Sequence, residues 1–390
     1  MNIGIAQIAT VDMSLRYLLL NQINEIAGSG YQVIGISSSG HHVDVLEASG
    51  IRHIAVPLTR NLTPLTDLRA LWRLYWIIRR EKFAIVHVHT PKAELLGALA
   101  ARLARTPIVV DTFRGIYYRK DMHPFWRWFF LRMAQIVAAC ADVVLSQSRE
   151  AMQMAIEEGV CPSEKIKYLG NGIDVCRFDC DRVSEVAIFR QRAEFEIAED
   201  APVIGYVGRL VEEKGILELL AAAKGVLKQF PNARFLLVGP IDLEKPDAVT
   251  PQIAHDYGIE QACIFTGMRQ DMPELYALMD VFVLPSHRES FPRSPMEASA
   301  MKVPCVVTDI PGCRETVEQG RNGVLVPLGD VEALKTAIVD ILSNPEKARS
   351  MGEAGRAMAL EQFDERKVFR KVKDEYARLL REKGFDVPGG

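Results

Sequence analysis

The chain has 390 residues, of which 48% are hydrophobic, and a formal net charge of −3 at pH 7. This length suits two domains of roughly 150 to 200 residues, each with its own core. The seven cysteines are odd in number and mostly scattered, which argues against a secreted disulfide framework and favours a cytoplasmic protein. No stretch approaches the roughly 18 apolar residues of a membrane span. We therefore expect a protein that is soluble or peripheral to a membrane, with no nucleic-acid partner.

Charge is distributed unevenly along the chain. Residues 1–170 carry 19 Lys and Arg against 14 Asp and Glu, whereas residues 171–390 carry 28 against 36. An anionic partner is therefore expected to meet the N-terminal half.

Short β-branched segments alternate with longer helical patterns, which is typical of βαβ units and parallel sheets. The strands predicted in the first half are NIGIAQI, QVIGIS, HIAVPL, AIVHVH, PIVVDTF, ADVVLSQS and KIKYLG. Those predicted in the second half are PVIGYVG, RFLLVGP, CIFTGM, DVFVLPS, CVVTDI and GVLVP. Residues 171–201 are polar and lack a long apolar strand segment, so they are interpreted as the interdomain connection. Apolar residues recur at helical spacing between Val368 and Leu380, which predicts an amphipathic helix near the end.

The predicted strand in IVHVHTPK carries two histidines. His87 and His89 are expected to point to opposite faces of this strand, one of them as a hydrogen-bonded core residue. His89 is the better site candidate, because it lies nearer the strand end and Lys92 follows it.

Residues 116–134 mix aromatic and basic side chains. The aromatic residues are Tyr117, Tyr118, Phe125, Trp126, Trp128, Phe129 and Phe130. Two interpretations stay open for this segment. It could contact an anionic membrane, with rings at headgroup depth and cations on lipid phosphates, or it could form an aromatic helix packed into the domain core. Residues 71–80, LWRLYWIIRR, have a similar composition.

Residues 205–220, GYVGRLVEEKGILELL, predict a strand, a turn and a helix. Gly208 and Arg209 lie at the strand end, and Lys214 precedes the helix. An arginine fork and a lysine point charge in such a turn could clamp a diphosphate, and a pair of solvated surface charges is the alternative. The segment is neither a Walker A loop nor a G-x-G-x-x-G fingerprint, so ATP hydrolysis and nicotinamide chemistry lack their usual signals.

Residues 286–300, SHRESFPRSPMEASA, place two glutamates around a loop. Ser294 and Glu297 fit a capping box with Pro295 at the first helical position, so a helix is expected to begin there and Glu297 could simply cap it. A capping box does not explain Glu289. Because the carboxyl ends of parallel strands meet at one edge, the cations, the helix start and both carboxylates are expected to converge on one ligand. Phosphates and hydroxyl groups together describe a nucleotide sugar.

Five motifs together resemble those of glycosyltransferase family 4, a family of retaining enzymes with the GT-B fold. They are Gly208-Arg209 with Lys214, NGID at 171–174, FTGMRQDMPELYALMDVFVLPS, the E-x7-E pair of ESFPRSPME, and VVTDIPGCRETVEQGRNGVLVPLGD. The ESFP and PGCRE segments, with the opening VDMSLRYLL and VHVHTPKAELLGALAARLA, resemble bacterial enzymes of surface-polysaccharide and lipid-linked oligosaccharide assembly.

The resemblance implies an α/β fold of two Rossmann-like domains with parallel sheets that face a cleft. Residues 1–175 would bind the acceptor, and residues 176–363 would bind the nucleotide sugar. The last helix, within residues 364–390, would cross back to the N-terminal domain.

The resemblance also implies a donor site. Arg209 and Lys214 would clamp the diphosphate, and Glu289 would lie against the donor sugar, which makes these three the catalytic candidates. Glu297 would bind the ribose hydroxyls. The other donor-binding candidates are Gly208, Gly267, Phe291, Pro292, Arg293 and Ser294. No metal or other cofactor is implied, because Arg and Lys take the place of a cation, and the D-x-D match at residues 179–181 lies in the predicted connection.

The acceptor side departs from the family pattern. Many relatives carry Gly-Gly after the first strand, where this chain has Ala9-Thr10. Many also carry His-Gly where this chain has Arg114-Gly115. Arginine cannot act as a general base at neutral pH, although it could hold a phosphate. The acceptor-side candidates are Asp12, Arg16, His89, Lys92 and Arg114.

The expected function is transfer of a hexose or N-acetylhexosamine from a UDP-sugar to a lipid-linked or polysaccharide-precursor acceptor in bacterial cell-surface glycan synthesis. The enzyme would act in the cytoplasm, with peripheral contact at the inner face of the membrane through residues 116–134. The alternatives are transfer to a soluble small-molecule acceptor, a sugar-nucleotide epimerase of the same fold, and a non-catalytic membrane-binding scaffold.

Overall fold

The computed structural model describes residues 3–115, 122–242, 245 and 247–388. The described residues divide into two compact units, at Gly170/Asn171 and at Arg366/Lys367. The first unit combines the N-terminal residues with the C-terminal segment, and the second unit lies between them in sequence. These divisions fall five and three residues from the boundaries expected from the sequence.

In its described residues, the first unit contains a parallel sheet of seven strands in the order β3-β2-β1-β4-β5-β6-β7. The strands are β1 (Gly4–Ile8), β2 (Gln32–Ser37), β3 (Arg52–Ala55), β4 (Ile85–Val88), β5 (Ile108–Phe113), β6 (Val143–Ser146) and β7 (Ile166–Tyr168). Each coincides with a predicted segment. These segments are nearly continuous apolar runs because helices cover both faces of such a sheet.

Helices alternate with these strands. They are α1 (Asp12–Ser14), α2 (Leu20–Gly28), α3 (Val43–Ala48), α4 (Pro64–Glu81), α5 (Pro91–Leu103), α6 (Pro124–Cys140) and α7 (Arg149–Glu157), with a π-helical segment at Leu15–Leu19. α4, α5 and α6 are neighbours, with α5 between the other two. Leu74 and Ile78 of α4 pack with Ala98 and Ala101 of α5 in the core on this face of the sheet.

The second unit has a parallel sheet of six strands in the order β10-β9-β8-β11-β12-β13 within the described residues. The strands are β8 (Val203–Val207), β9 (Arg234–Val238), β10 (Cys263–Gly267), β11 (Val281–Leu284), β12 (Cys305–Thr308) and β13 (Gly323–Val326). All six were predicted. The helices are α8 (Glu185–Glu194), α9 (Ile216–Leu227), α10 (Gln252–Asp256), α11 (Met272–Ala277), α12 (Arg293–Ala300), α13 (Val331–Ser343) and α14 (Pro345–Gln362), with 3-10 turns at Cys180–Arg182, Glu212–Lys214 and Glu260–Ala262.

The last helix, α15 (Glu365–Glu382), returns to the first unit, as predicted. Val372, Tyr376 and Leu380 are fully buried, in the same core cluster as Ile5 and Ile85. Its apolar stripe therefore completes the core on the second face of the first sheet. Across the described residues, none of the helices is both long enough and apolar enough to pass through a bilayer.

The strand order reverses at one point in each sheet, between β1 and β4 and between β8 and β11. Ligands of open parallel sheets bind beyond the carboxyl ends of the strands at such a reversal. In the second unit, the reversal brings the residues that follow Val207 beside those that follow Leu284. These two connections contain most of the predicted donor residues.

Candidate functional site

A cation and a carboxylate meet where β8 and β11 end. The Lys214 ammonium donates a hydrogen bond to Oε1 of Glu289 at 2.6 Å. The Ser286 hydroxyl donates to the same oxygen at 2.9 Å. Both charged side chains are less than one-fifth exposed, so solvent screens this pair only partly. Two catalytic candidates that are 75 residues apart in the chain are therefore in direct contact.

Two glycines allow this close approach. Gly215 has a φ of +73°, and a Cβ there would lie 2.0 Å from the carbonyl oxygen of Pro285. Gly312, in the PGC segment, has a φ of +83°, and a Cβ there would lie 2.4 Å from the carbonyl oxygen of Ser290. A side chain at either position would push the loops apart, because only glycine fits such a contact at positive φ without strain. The loop that carries Glu289 thus packs against the backbone at Gly215 on one side and at Gly312 on the other.

Arg209 lies on the same edge of the sheet. Its Nη1 donates to Oδ2 of Asp242 at 2.9 Å, and its carbonyl oxygen accepts from the Tyr206 hydroxyl at 2.8 Å. Burial raises the pKa of Tyr206 well above its usual value; the charge of Glu289 raises it further, and that of Arg209 lowers it. Both charges therefore act on one hydroxyl group. Gly208 is next to this hydroxyl, since a Cβ there would lie 2.8 Å from it.

Glu297 does not cap a helix, and the capping-box prediction is wrong. α12 begins at Arg293 with Pro292 as its N-cap residue, and no described side chain caps it. Ser294 consequently lies inside the first turn, two positions after the N-cap residue. The Glu297 carboxylate instead accepts a hydrogen bond from the Tyr276 hydroxyl at 2.9 Å.

The environment of Glu297 opposes its charge. Burial raises the pKa of this carboxyl, and the nearby Arg293 guanidinium and the Tyr276 hydrogen bond offset only part of that effect. A buried carboxylate held by a tyrosine is suited to accept hydrogen bonds from ligand hydroxyls, since desolvation makes each such bond stronger.

The remaining donor candidates are more dispersed. Phe291 is buried, and its carbonyl oxygen accepts from Nδ2 of Asn171 at 2.9 Å. Arg293 lies 3.5 Å from Glu365. Gly267 ends β10 with a φ of +68°. Because β10 is two strands from β8, about 10 Å separates Gly267 from the Arg209 loop across the sheet.

Asp12 and Arg16 follow the first strand of the first unit. Asp12 is buried, and its Oδ2 accepts from the backbone N–H of His42 at 2.8 Å. The guanidinium of Arg16, which is half-buried, lies 5.4 Å from the centre of the neighbouring Tyr17 ring. Asp12 therefore holds the loop after β2 in place.

Lys92 is surrounded by acceptors. Its ammonium donates to Oδ1 of Asp67 at 2.7 Å, to Oγ1 of Thr59 at 2.9 Å and to the carbonyl oxygen of Asn61. This side chain is about one-tenth exposed. It fixes the loop before α4 to the start of α5, and the contacts give it a structural role.

His87 of β4 and His89, the residue after that strand, lie on the same face of the sheet, so the prediction of opposite faces is wrong. Residues two apart in a strand share a face, and the two rings lie 4.0 Å apart between centroids. Burial lowers the pKa of both, that of His87 to about 3, and the positive charge of Arg114 lowers both further. His89 bonds to Gln7 at 2.5 Å, and His87 bonds to the Tyr376 hydroxyl at 2.5 Å. Both are buried, neutral members of one hydrogen-bond network.

Arg114 is anchored at the end of β5. Its Nε donates to the carbonyl oxygen of His89 at 3.0 Å, and its Nη1 donates to Oε1 of Gln147 at 3.0 Å. These contacts place the guanidinium at the carboxyl edge of the first sheet.

The aromatic segment is only partly covered by the structure, because residues 116–121 lie outside the described part. Phe125, Trp126 and Trp128 of α6 are 43% to 55% exposed. Trp72 and Trp76 of the nearby α4 are 56% and 63% exposed. These five rings are at least 43% exposed and do not pack into the core, whereas Phe129 and Phe130 of α6 are partly buried. Contact of this segment with a membrane stays a prediction.

Among the described residues, one group has the spacing of metal ligands: Asp179, Cys180 and Asp181. Asp179 pairs with Arg356 at 3.1 Å, and Asp181 lies 3.7 Å from Lys302. Basic side chains thus occupy its carboxylates, and no metal role is assigned to it.

Two site residues escaped the sequence analysis. Asp242 is the partner of Arg209, and an acidic residue soon after a predicted strand was the available signal. Tyr276 is the partner of Glu297, and the signal was a tyrosine among core leucines, since a buried tyrosine hydroxyl usually needs a hydrogen-bond partner.

Solved structures share this architecture. A glycosyltransferase from Rickettsia africae superimposes with a TM-score of 0.82 at 22% identity, over 97% of this chain and 99% of that one. Anabaena Alr3699/HepE in complex with UDP and glucose gives 0.83 at 22% identity, over 97% and 100%. The chain therefore has the two-domain α/β fold of the GT-B glycosyltransferases.

Family models and curated relatives show which protein family the chain belongs to. Residues 17–177 match Glycosyltransferase Family 4, and residues 187–358 match Glycosyl transferases group 1. The capsular polysaccharide biosynthesis glycosyltransferase CapM of Staphylococcus aureus is 28% identical over 98% of both chains. The Escherichia coli UDP-Gal:alpha-D-GlcNAc-diphosphoundecaprenol alpha-1,3-galactosyltransferase is 29% identical over 88% of this chain and 87% of its own. A GDP-mannose-dependent alpha-(1-6)-phosphatidylinositol monomannoside mannosyltransferase of Mycolicibacterium smegmatis is 32% identical over 69% of each. This chain belongs to glycosyltransferase family 4.

Proposed function

We propose that this glycosyltransferase moves a hexosyl or N-acetylhexosaminyl group from a UDP-sugar to a lipid-linked or polysaccharide-precursor acceptor. Transfer would retain the anomeric configuration and need no metal. The observation that carries the proposal is the 2.6 Å contact between Lys214 and Glu289 at the strand-order reversal of the second unit. It brings a phosphate-binding cation and a carboxylate suited to sugar hydroxyls to one point.

The chemistry follows from the charges at this point. When the bond from the sugar to the diphosphate breaks, negative charge grows on the leaving phosphate. Arg209, Lys214 and the uncapped start of α12 would stabilise it, and a well-placed donor of this kind contributes a few kcal/mol. These groups would supply positive charge at the leaving phosphate without a metal ion. Glu289, freed from Lys214, would position the sugar.

Glu297 would bind the ribose. Its carboxylate is already oriented by Tyr276, so little conformational entropy is lost when a hydroxyl binds to it. This role explains why the chain keeps an acidic residue in an environment that raises its pKa.

The choice of UDP is supported by the Escherichia coli relative, whose name specifies UDP-galactose and whose match extends over most of both chains. The mycobacterial relative uses GDP-mannose, so the base must be tested directly.

The acceptor side is supported by two observations. The same Escherichia coli relative acts on a sugar carried by diphosphoundecaprenol. In this chain, exposed tryptophans of α4 and α6 lie among arginines, an arrangement that suits a membrane surface where a lipid-linked acceptor would reside. Transfer to a soluble acceptor is the competing proposal, and the N-acetyl-alpha-D-glucosaminyl L-malate synthase of Bacillus anthracis, 25% identical over 82% of this chain, gives it a basis.

A thermal-shift screen of UDP, GDP and their sugar conjugates tests the donor proposal. A ligand at about 100 times its Kd stabilises the folded state by about 2.7 kcal/mol. We expect a response to UDP and a UDP-sugar, and a weaker response in Glu297→Ala. A response to GDP and not to UDP would show that the donor carries guanine instead of uracil. The absence of any nucleotide response would contradict the proposal.

A further inference from the structure

Asp242 faces the cation proposed to bind the diphosphate. Its Oδ2 accepts a hydrogen bond from Arg209 Nη1 at 2.9 Å. The Asp242 side chain is 13% exposed and that of Arg209 is 40% exposed, so the aspartate is the more enclosed partner. Asp242 follows β9, the strand beside β8, and both side chains therefore project from the carboxyl edge of one sheet.

The backbone fixes this contact. Leu210 and Ile241, the residues next to the two partners, form a parallel β-bridge. The N–H of Leu210 donates to the carbonyl oxygen of Pro240 at 3.0 Å, and that of Val249 donates to the carbonyl oxygen of Leu210 at 2.9 Å. Backbone pairing at Leu210 thus ties the two loops together next to the ion pair. A contact held by this much backbone pairing is a built feature, unlike a chance meeting of long surface side chains.

We propose that Asp242 competes with the nucleotide diphosphate for Arg209. This inference rests on the proposed function, in which Arg209 binds the diphosphate. A carboxylate and a phosphate use the same planar fork of guanidinium N–H groups, so both cannot occupy the same donors. Two anions near one cation also repel each other. Asp242 therefore weakens binding of the donor and of the nucleoside diphosphate product.

The consequence falls on product release. After transfer, the nucleoside diphosphate has lost the contacts of the transferred sugar and would be held by the two cations at its phosphates and by Glu297 at its ribose. An aspartate that takes over the guanidinium offsets the loss of the phosphate partner and speeds dissociation. Release of product limits turnover in many transferring enzymes, so Asp242 would set the balance between donor affinity and turnover.

A different role for Asp242 gives the opposite result. If the carboxylate only orients Arg209 for the phosphate, its removal leaves the guanidinium free to rotate and weakens binding. Asp242→Asn keeps a hydrogen-bond acceptor and removes the charge, whereas Asp242→Ala removes both. Competition predicts tighter binding in both variants. Orientation alone predicts unchanged binding in the first and weaker binding in the second.

The test is calorimetric titration of UDP and of GDP into the full chain, as wild type, Asp242→Asn and Asp242→Ala. Asp256→Asn is the control, because Asp256 is an exposed aspartate of the same unit. For the nucleotide that binds, we expect the Kd to fall about three- to tenfold in both Asp242 variants, the range for release of a partly exposed ion pair next to an anion. The difference should shrink as NaCl rises from about 0.05 M to about 0.5 M, and the control should match wild type.

The other outcomes are decisive as well. A Kd that is unchanged or higher in Asp242→Asn overturns the competition while leaving the donor site intact. If Arg209→Ala binds nucleotide as tightly as wild type, Arg209 does not hold the phosphate, and the inference fails. If wild type binds neither nucleotide, the proposed function fails together with it.

Discussion

Lys214 and Glu289 form an ion pair at the centre of the proposed donor site. Each charge is neutralised by the other in this contact. A bound donor would therefore have to break the ion pair, so that Lys214 contacts its phosphate and Glu289 contacts its sugar. Arg209 and Asp242 form a second ion pair of this kind, between the loops that follow β8 and β9. Charged groups that already have partners remain ordered, which reduces the entropy lost when a ligand binds.

Substitutions at this pair should separate binding from catalysis. Lys214→Ala should raise the Kd for UDP about tenfold or more, because a hydrogen bond to a charged group contributes about 1.5 to 3 kcal/mol. Glu289→Gln should lower kcat about 100-fold and leave the UDP Kd equal to or below that of wild type. Calorimetry and steady-state kinetics measure the two effects. Lys228→Ala, an exposed lysine of the same unit, is the control. Wild-type UDP affinity in Lys214→Ala would contradict the assignment.

Glu297 should make stability depend on pH. Burial raises the pKa of its carboxyl above the usual 4.5, so the folded protein holds this proton more tightly than the unfolded chain does. The contribution of Glu297 to stability is therefore greatest below pH 4.5 and falls as pH rises through the raised pKa. Glu297→Gln cannot ionise, and its stability relative to wild type should rise over the same interval. Urea unfolding across this pH range measures the difference, and a constant offset would contradict the assignment.

At the scale of elements, the strands were predictable and several contacts were not. Short β-branched segments separated by helical patterns indicated every strand of the two sheets, because buried parallel strands need such runs. The capping box failed because Tyr276, from α11, provides a partner for Glu297 that a local pattern does not contain. The pairing of Arg209 with Asp242 was also missing from the local sequence pattern, because it depends on β8 and β9 being neighbours in the sheet.

The histidine prediction failed for a simpler reason. His87 and His89 are two residues apart, and the period of a strand is two, so they had to share a face. What the sequence did not contain is their partner, Tyr376, which comes from the last helix almost 300 residues later.

α15 is tied to the first sheet by this network. The Tyr376 hydroxyl accepts from Nε2 of Gln7 at 3.0 Å and bonds to Nδ1 of His87. Tyr376→Phe should lower the free energy of unfolding by about 1 to 3 kcal/mol, because it leaves buried polar partners unpaired. Denaturant unfolding measures this loss. Tyr257→Phe is the control, because it removes a hydroxyl that makes no hydrogen bond to a described residue and keeps the ring that Lys224 contacts. Equal stability of the two variants would contradict the role of the network.

α6 is the helix that we predict to contact a membrane surface. Trp126→Ala/Trp128→Ala should reduce binding to vesicles of anionic phospholipid about tenfold or more, since each interfacial ring contributes on the order of 1 kcal/mol. Liposome flotation measures the bound fraction. Phe189→Ala removes a ring of the second unit that is 75% exposed and should have no effect. Unchanged flotation of the double variant would remove the membrane proposal.

At the scale of the whole molecule, the return of α15 sharpens the charge asymmetry. The first unit carries 26 Lys and Arg against 18 Asp and Glu, and the second carries 21 against 32. Net positive charge in the first unit agrees with an anionic acceptor or membrane, while the second unit is acidic overall and has Arg209 and Lys214 at the predicted diphosphate site. The division of labour between the units, with the acceptor in the first and the donor in the second, stays a prediction.

The central claim is that one nucleotide diphosphate binds Arg209 and Lys214 while Glu289 and Glu297 hold its sugars. A crystal structure of the protein with UDP tests it most directly. We expect phosphate oxygens within hydrogen-bond distance of both cations, with Arg209 released from Asp242, and ribose hydroxyls on the Glu297 carboxylate. UDP bound at another cavity, or a diphosphate that contacts neither Arg209 nor Lys214, would contradict the account.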